Sequence, residues 1–275
     1  MLALGYLLVI STTVHSCTSV VMIVRNIVDV PLAPVSHIPI LRGKELVSPS
    51  DEMGITAYEI LLTRDQSELC SGGEGWTENH MYYCISGRGR CSLGDGREFD
   101  VAQDVFLSFS SAVQCKITVT PEDHMRLYCV YCQDDNPSSD RVVVRSLSEI
   151  IGTDRDVDFG SGHSRRFLLR DDDFPITVTN TSIRTCADTP KGVPMWYKHH
   201  KEATYYFRGN GKYVWEEGKE EAAFHPEGTA FLMDQHDPHY AVPEGDAFTI
   251  CTFFPALVGN EKHVFSGGYS VYGPA

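Results

Sequence analysis

Positive charge is scarce in this chain: 23 lysines and arginines stand against 37 aspartates and glutamates, a formal net charge of −14. A surface of that sign repels phosphate backbones and anionic lipid, so nucleic acid and acidic membranes are excluded as partners. Long apolar runs are missing as well. The most hydrophobic stretch, "MLALGYLLVISTTVHSCTSVV" at residues 1–21, is broken by Ser, Thr and His. It falls short of the run of about 20 apolar residues that spans a bilayer, and it lacks the basic start of a secretory signal. These residues are read as an N-terminal extension, with "MIVRN" from Met22 opening the folded part and the cytoplasm as the compartment.

A disulfide framework is also lacking. Nine cysteines is an odd number, and Cys84, Cys115, Cys129 and Cys251 sit among apolar strand residues, where a thiol acts as a small hydrophobe in a reducing compartment. Cys129 and Cys132 form a CxxC in "LYCVYC", but no second pair stands at zinc-site spacing. Two buried strand thiols are the simpler reading.

What the chain does have is a repeat. "MIVRNIVDV" at Met22 returns as "VVVRSLSEI" at Val142, and "GITAYEILL" at Gly54 as "PITVTNTSI" at Pro175. "MYYCISGRGRC" at Met81 returns as "ATYYFRGNGKY" at Ala203, and "LYCVYC" at Leu127 as "TICTFF" at Thr249, all at an offset of 120–122 residues. The polar "QDDNPSSD" from Gln133 is the linker. The expected organisation is an extension at 1–21, a first domain at 22–137 and a second at 138–275. Short runs such as "ITVTNTSI", "GKYVWEEG" and "DAFTICTFF" alternate apolar and polar residues between Gly, Pro and Asp, the period of antiparallel strands. The fold class is therefore all-β, two tandem jelly-roll β-barrels of the cupin kind, with a short helix near the start of each copy, as around "SLSEIIGT".

The chemistry is concentrated in the second copy. Glu202 stands seven residues before Gly209 in "EATYYFRG", and "PEGTAFLMDQHDPH" from Pro226 follows with a Pro-x-Gly turn and histidines. Together and in this order, the two match the paired metal-binding motifs of cupins. Read alone, each has a plain alternative: His199 and His200 on a wet strand edge, Glu202 facing water, His236 and His239 capping a turn, Arg166 paired with Asp171–Asp173, Cys251 and Phe253 as core.

From Val142 to about Val271 the wording is more specific. "SRRFLLRDD", "WYKHHKEATYYFRGNG", "GTAFLMDQHDPHY" and "CTFFPALVGNEKHVFSGGY" resemble the ectoine synthase family. That resemblance implies an iron-dependent hydro-lyase that closes the ring of N-γ-acetyl-2,4-diaminobutyrate, an N-acetylated diamino acid, with loss of water to give ectoine, a compatible solute. It implies Fe(II) on Glu202 and His239, catalytic roles for Tyr197, His200 and Glu261, and substrate contacts from Arg166, Thr181, Cys251 and Phe253. The residue types suit the reaction. A bound cation polarises an amide carbonyl, Tyr, His and Glu move protons when burial tunes them, and an arginine fork grips a carboxylate.

Two positions depart from the family pattern. The third metal ligand, a tyrosine in "GTxY", is Phe231 here, leaving His200 and Asp234 as candidates to replace it. The tryptophan two residues before "SRR" is Gly162, and "TPKGVP" lengthens the loop before Trp196. The first copy has His80 at the place of Glu202, "AQDVFL" where the second has "PEGTAF", and no evident counterpart of His239. It is expected to be a degenerate cupin serving as a built-in partner, an intramolecular pseudo-dimer, with further homo-oligomerisation left open. Two other readings stand beside the synthase: a different metal-dependent cupin enzyme such as an isomerase, and an inactive cupin that binds a solute or a partner protein.

Overall fold

The computed structural model describes residues 22–120, 122–137, 139–184, 195–215, 218–234, 236, 238–259, 264–266 and 269–272. The extension 1–21, the "TPKGVP" insertion and Glu261 lie outside the described residues. Strands dominate, as the two-residue periodicity predicts, and they close into two jelly-roll barrels. No described helix is long and apolar enough to cross a membrane.

The main sheet of the first barrel runs in the order Val142–Ser146, Val105–Phe109, Glu78–Leu93, Met125–Gln133, Thr56–Leu62, Ile38–Val47, Leu32–Val35. That of the second runs Ile23–Asn26, Thr229–Met233, Lys201–Arg208, Ala247–Phe254, Thr177–Ile183, Gly162–Arg166, Asp156–Asp158. The order is the same, and the outermost strand of each comes from the other half of the sequence. Val24 pairs opposite Phe231, and Val142 opposite Phe109. Each half thus lends its first strand to the other's sheet and covers an edge that would otherwise expose unpaired backbone groups.

Side chains alternate across each strand. In the central strand of the second sheet, Glu202, Thr204 and Tyr206 point into the barrel. Ala203, Tyr205 and Phe207 point out and join Met81, Tyr83, Tyr128 and Val130 of the first barrel in one buried cluster. The barrels therefore meet sheet to sheet, with Tyr128 stacked on Tyr205 at 5.7 Å and Phe106 on Phe167 at 5.1 Å. Polar bonds set the register: Tyr128 Oη lies 3.1 Å from Thr252 Oγ1, and Asn180 Nδ2 donates to Tyr83 Oη at 2.8 Å. Arg126 bridges the barrels, donating to Glu59 and to Tyr205 Oη.

The segment read as a linker is anchored at both ends. Asp134 is buried, accepts the Ser111 N–H at 2.9 Å and is paired with Arg141 at 2.6 Å. The helix expected at the start of each copy forms only in the second, at Leu147–Ile150, where Glu149 accepts the Ser146 N–H at 2.6 Å in a capping box. In the first copy the same place is a turn, with Asp29 N–H bonded to Asn26 O at 3.0 Å, and Pro31 follows. A proline has no N–H to continue the first turn. Cys129 and Cys132 point to opposite faces, one into the first barrel and one into the shared core, so they cannot ligate one ion together.

The acidic run Asp171–Asp173 engages other arginines than Arg166. Asp172 takes Arg145 at 2.7 Å and Arg155 at 2.9 Å. Burial pushes the Asp172 carboxyl up, but bonds from Arg145, the Leu169 N–H and Arg155 outweigh it and hold the group below its usual range. A lowered carboxyl stabilises the fold above its unfolded-state value, and that stabilisation is lost as the pH falls through the folded-state value. Asp172→Asn is therefore expected to cost about 1–3 kcal/mol at neutral pH, and the difference from wild type should shrink on acidification below about pH 4. Urea unfolding at several pH values measures it, and a gap that widens on acidification would contradict this account.

Candidate active site in the second barrel

The two barrel interiors differ. The first is filled by Tyr58, Tyr82, Leu107, Phe109, Leu127, Tyr131 and their neighbours, all buried. The second holds a cleft of about 90 Å³, and Arg166, Thr181, Tyr197, Glu202, His239, Cys251 and Phe253 all line it. The sequence singles out every one of these residues.

Strand alternation explains how they meet. Glu202 pairs opposite Phe253, and Thr204 opposite Cys251, on the central pair of the sheet. Thr179 pairs opposite Cys251 and Arg166 on either side, so the inward row crosses four strands. His239 enters from the facing sheet, as the first residue of the strand His239–Pro243, directly after Pro238.

Glu202 is buried. Its Oε1 accepts the Thr204 hydroxyl at 3.0 Å, while its Oε2 has no hydrogen-bond partner and lies 3.5 Å from His239 Nε2. Burial pushes its carboxyl up to about 7, against the pull of the Thr204 hydrogen bond and the neighbouring Cys251 thiol. An orphaned buried carboxylate oxygen facing an imidazole nitrogen is costly on its own and suits a cation between them. Glu202 and His239 thus fit the donor roles expected of them. No third His, Cys, Asp or Glu joins the pair among the described residues.

Arg166 is 2% exposed, and its Nη1 donates to Gly259 O at 2.8 Å. A buried guanidinium lining a cleft is a site for an anionic group. Thr181 Oγ1 lies 3.0 Å from Thr179 Oγ1. The Cys251 thiol sits between Thr204 at 3.5 Å and Thr181 at 3.7 Å. Burial and the neighbouring Glu202 charge raise its pKa to about 12, so it is a neutral thiol and not a nucleophile. The Tyr197 ring meets Phe253 edge-on at 4.7 Å, and His236 Nδ1 holds its backbone carbonyl.

His200 is buried behind Tyr197, its ring edge-on at 6.4 Å, and donates from Nδ1 to Pro255 O at 2.7 Å. His200 does not line the cleft, and Asp234 does not either. The expectation that one of them replaces the missing ligand is therefore corrected: His200 turns to the Pro255 carbonyl, and Asp234 lies past the strand that carries Phe231. His199 is exposed. The catalytic assignment of Glu261 falls outside the described residues.

Both departures from the family pattern have structural counterparts. Phe231 is fully buried, stacked on Tyr213 at 4.4 Å. At Gly162, an added Cβ would lie 1.9 Å from Ser182 O and 2.8 Å from the tip of the Phe159 ring, so no side chain fits there. Phe159 lines the cleft instead and supplies the wall from three residues earlier. Phe159→Ala is expected to raise KM about tenfold with little change in kcat, because it removes apolar contact and no reacting group. Steady-state kinetics decides this, and a fall in kcat at unchanged KM would count against it.

The turn before Phe231 also needs its glycine: Gly228 has φ 136°, and a Cβ there would lie 2.1 Å from Tyr205 Oη. Sequence reading misses Thr204, Tyr206, Tyr213 and Phe159 as cleft residues. Alternation from Glu202 could have found Thr204 and Tyr206, but Tyr213 and Phe159 are brought in by closure of the barrel.

In the first barrel, His80 stands at the place of Glu202, and strand register puts Cys115 at the place of His239. The expectation of no counterpart is corrected. His80 Nδ1 lies 3.0 Å from Ser71 Oγ, and its Nε2 lies 3.1 Å from Val113 O. Burial lowers its pKa to about 4, so it is a neutral, satisfied core histidine.

The family model described as "Ectoine synthase" matches residues 142–272. The L-ectoine synthase of Desulfatibacillum aliphaticivorans is 35% identical over 132 residues, covering 47% of this chain and 98% of that protein. The chain belongs to the ectoine synthase family. The L-ectoine synthase of Oceanobacillus iheyensis is 33% identical over 46% of this chain and 96% of its own length. Family likeness thus spans the second half, while the two-barrel fold is shared more widely. Protein YlbA of E. coli matches 84% of this chain and 89% of its own at TM-score 0.63 and 13% identity. The oxalate decarboxylase of Bacillus subtilis matches 85% of this chain and 77% of its own at TM-score 0.60 and 11% identity. These two speak for the fold alone.

Proposed function

We propose that the second barrel is a hydro-lyase that closes N-γ-acetyl-2,4-diaminobutyrate to ectoine with loss of water, making a compatible solute in the cytoplasm. The observation that carries this reading is the unpaired Glu202 Oε2, 3.5 Å from His239 Nε2, in a cleft that Arg166 also lines. Glu202 and His239 would hold Fe(II), whose chemistry when bound is that of a Lewis acid toward the amide carbonyl.

The remaining roles fall to the chain's own groups. The Arg166 guanidinium receives the substrate carboxylate and orients the molecule along the cleft. Phe253 and Phe159 enclose its carbon chain and exclude water. The free amine must lose one proton before it attacks the acetyl carbon to form the ring C–N bond, and its remaining two as that bond becomes C=N; the acetyl oxygen takes up two protons, the second of which lets it leave as water. Tyr197 lines the cleft and is placed to donate that proton, with its backbone held by His236. His200 packs against the Tyr197 ring and steadies it. Cys251 and Thr181 offer neutral polar contacts. The first barrel, with its filled interior, serves as the fixed partner that covers the outer face of the working sheet.

The test is incubation with Fe(II) and N-γ-acetyl-2,4-diaminobutyrate, with the cyclic product followed by NMR. Product formation supports the reading, and unchanged substrate in the presence of iron-loaded protein rejects it. The wall formed by Phe159 in place of a residue at position 162 favours one second reading, a related N-acylated diamino acid as substrate.

A further inference from the structure

The cleft has two donors for a cation, and Phe231, fully buried behind its wall, stands where the family pattern places a tyrosine. Phe231 cannot coordinate, and no third His, Cys, Asp or Glu joins Glu202 and His239 among the described residues. Phenols, however, are close at hand. Tyr206 and Tyr213 both line the cleft and both touch the Phe231 ring, at 5.9 Å edge-on and 4.4 Å stacked.

Strand geometry separates the two. Tyr206 lies four residues beyond Glu202 on the same strand, roughly 13 Å along it, and its ring is stacked on Phe224 at 4.0 Å. Tyr213 comes from the strand Gly211–Trp215, directly beside the one that carries His239. Its ring lies parallel to His239 at 5.3 Å and to Phe231 at 4.4 Å, touching both the ligand histidine and the side chain that lacks a hydroxyl. Its own hydroxyl is bonded to Met233 Sδ at 3.0 Å, and Met233 pairs directly opposite Glu202. A thioether is a weak acceptor, so exchanging it for a cation loses little.

We propose that Tyr213 supplies the third protein donor to the cation held by Glu202 and His239, replacing across the barrel the phenol that Phe231 lacks. The proposal rests on the reading of Glu202 and His239 as a cation site, and it adds the residue that completes the donor set. The phenol stands on a strand of the facing sheet and not on the strand of Phe231, with its ring beside the histidine. Retention of a three-donor site matters because two protein donors hold a divalent ion weakly.

Iron binding itself provides the test, without turnover. The full-length protein is loaded with Fe(II) and then air-oxidised, since a phenolate bound to Fe(III) gives a charge-transfer absorption band in the visible. Wild type is expected to bind one iron per chain and show the band. Tyr213→Phe should lose the band and bind Fe(II) about 10–100-fold more weakly, while Tyr206→Phe keeps both. The double variant Tyr213→Phe with Phe231→Tyr should regain the band, which also guards against a simple folding defect. A band that survives Tyr213→Phe, a band lost in Tyr206→Phe, or iron affinity unmoved by Tyr213→Phe overturns the proposal. The outcomes are separable from the activity assay. Cyclic product together with a Tyr213-independent iron site rejects only this inference. A Tyr213-dependent band without product rejects only the proposed reaction.

Discussion

Glu202→Gln should abolish iron binding and catalysis without weakening the fold. The carboxylate is 5% exposed, and one of its oxygens has no hydrogen-bond partner. In a structural role that oxygen would be a defect, since a buried unpaired acceptor costs about 1–3 kcal/mol. Glutamine keeps the volume and the Thr204 contact but removes the charge that a cation needs. Iron affinity and kcat/KM should both fall by about 100-fold or more, beyond the 10–100-fold typical of residues that only support a ligand. The melting temperature of the iron-free protein should stay level or rise. Metal analysis after dialysis, with a thermal melt of the same sample, reads both quantities. A strongly destabilised variant that still holds iron would show Glu202 to be structural.

Phe167→Ala should cost about 3–5 kcal/mol and should weaken both barrels at once. Phe167 is fully buried and belongs to the second half of the sequence. Its ring stacks on Phe106 at 5.1 Å and contacts Tyr83 at 5.6 Å, both from the first barrel. Its carbonyl accepts from Arg145, on the strand that the second half lends to the first barrel's sheet. Truncation leaves a cavity in the one core that the barrels share. Urea unfolding followed by near-UV circular dichroism should show a single transition moved to lower denaturant. Two transitions, with the first barrel unaffected, would mean that the barrels are stabilised separately.

Much of this fold is legible in the sequence because its causes are local. Alternation of apolar and polar residues marks strands, and the repeat at 120–122 residues implies two similar units. Asp237–Pro238 and Pro226–Gly228 delimit, as sequence signals, the segments that carry His239 and Phe231. A helix in the first copy is expected by analogy and fails because Pro31 stands where the chain would continue it. The reciprocal exchange of Ile23–Asn26 and Val142–Ser146 cannot be read from periodicity, because an edge strand looks the same whichever sheet it completes.

The site divides along the same line. Motif and resemblance point to Glu202, His239, Arg166, Thr181, Tyr197, Cys251 and Phe253, and all seven line one cleft. His200, identified in the same way, sits behind that cleft, because a short bond to the Pro255 carbonyl turns its ring away. By itself the sequence determined the strands, the two units and the donor types, since these follow from period, turn residues and side-chain chemistry within single segments. Tertiary structure alone decided which unit has an open interior, that Phe159 fills the wall left by Gly162, and that Tyr213 lies between Phe231 and His239. Those relations join segments that strand periodicity does not relate, and only closure of the barrel brings their side chains within contact.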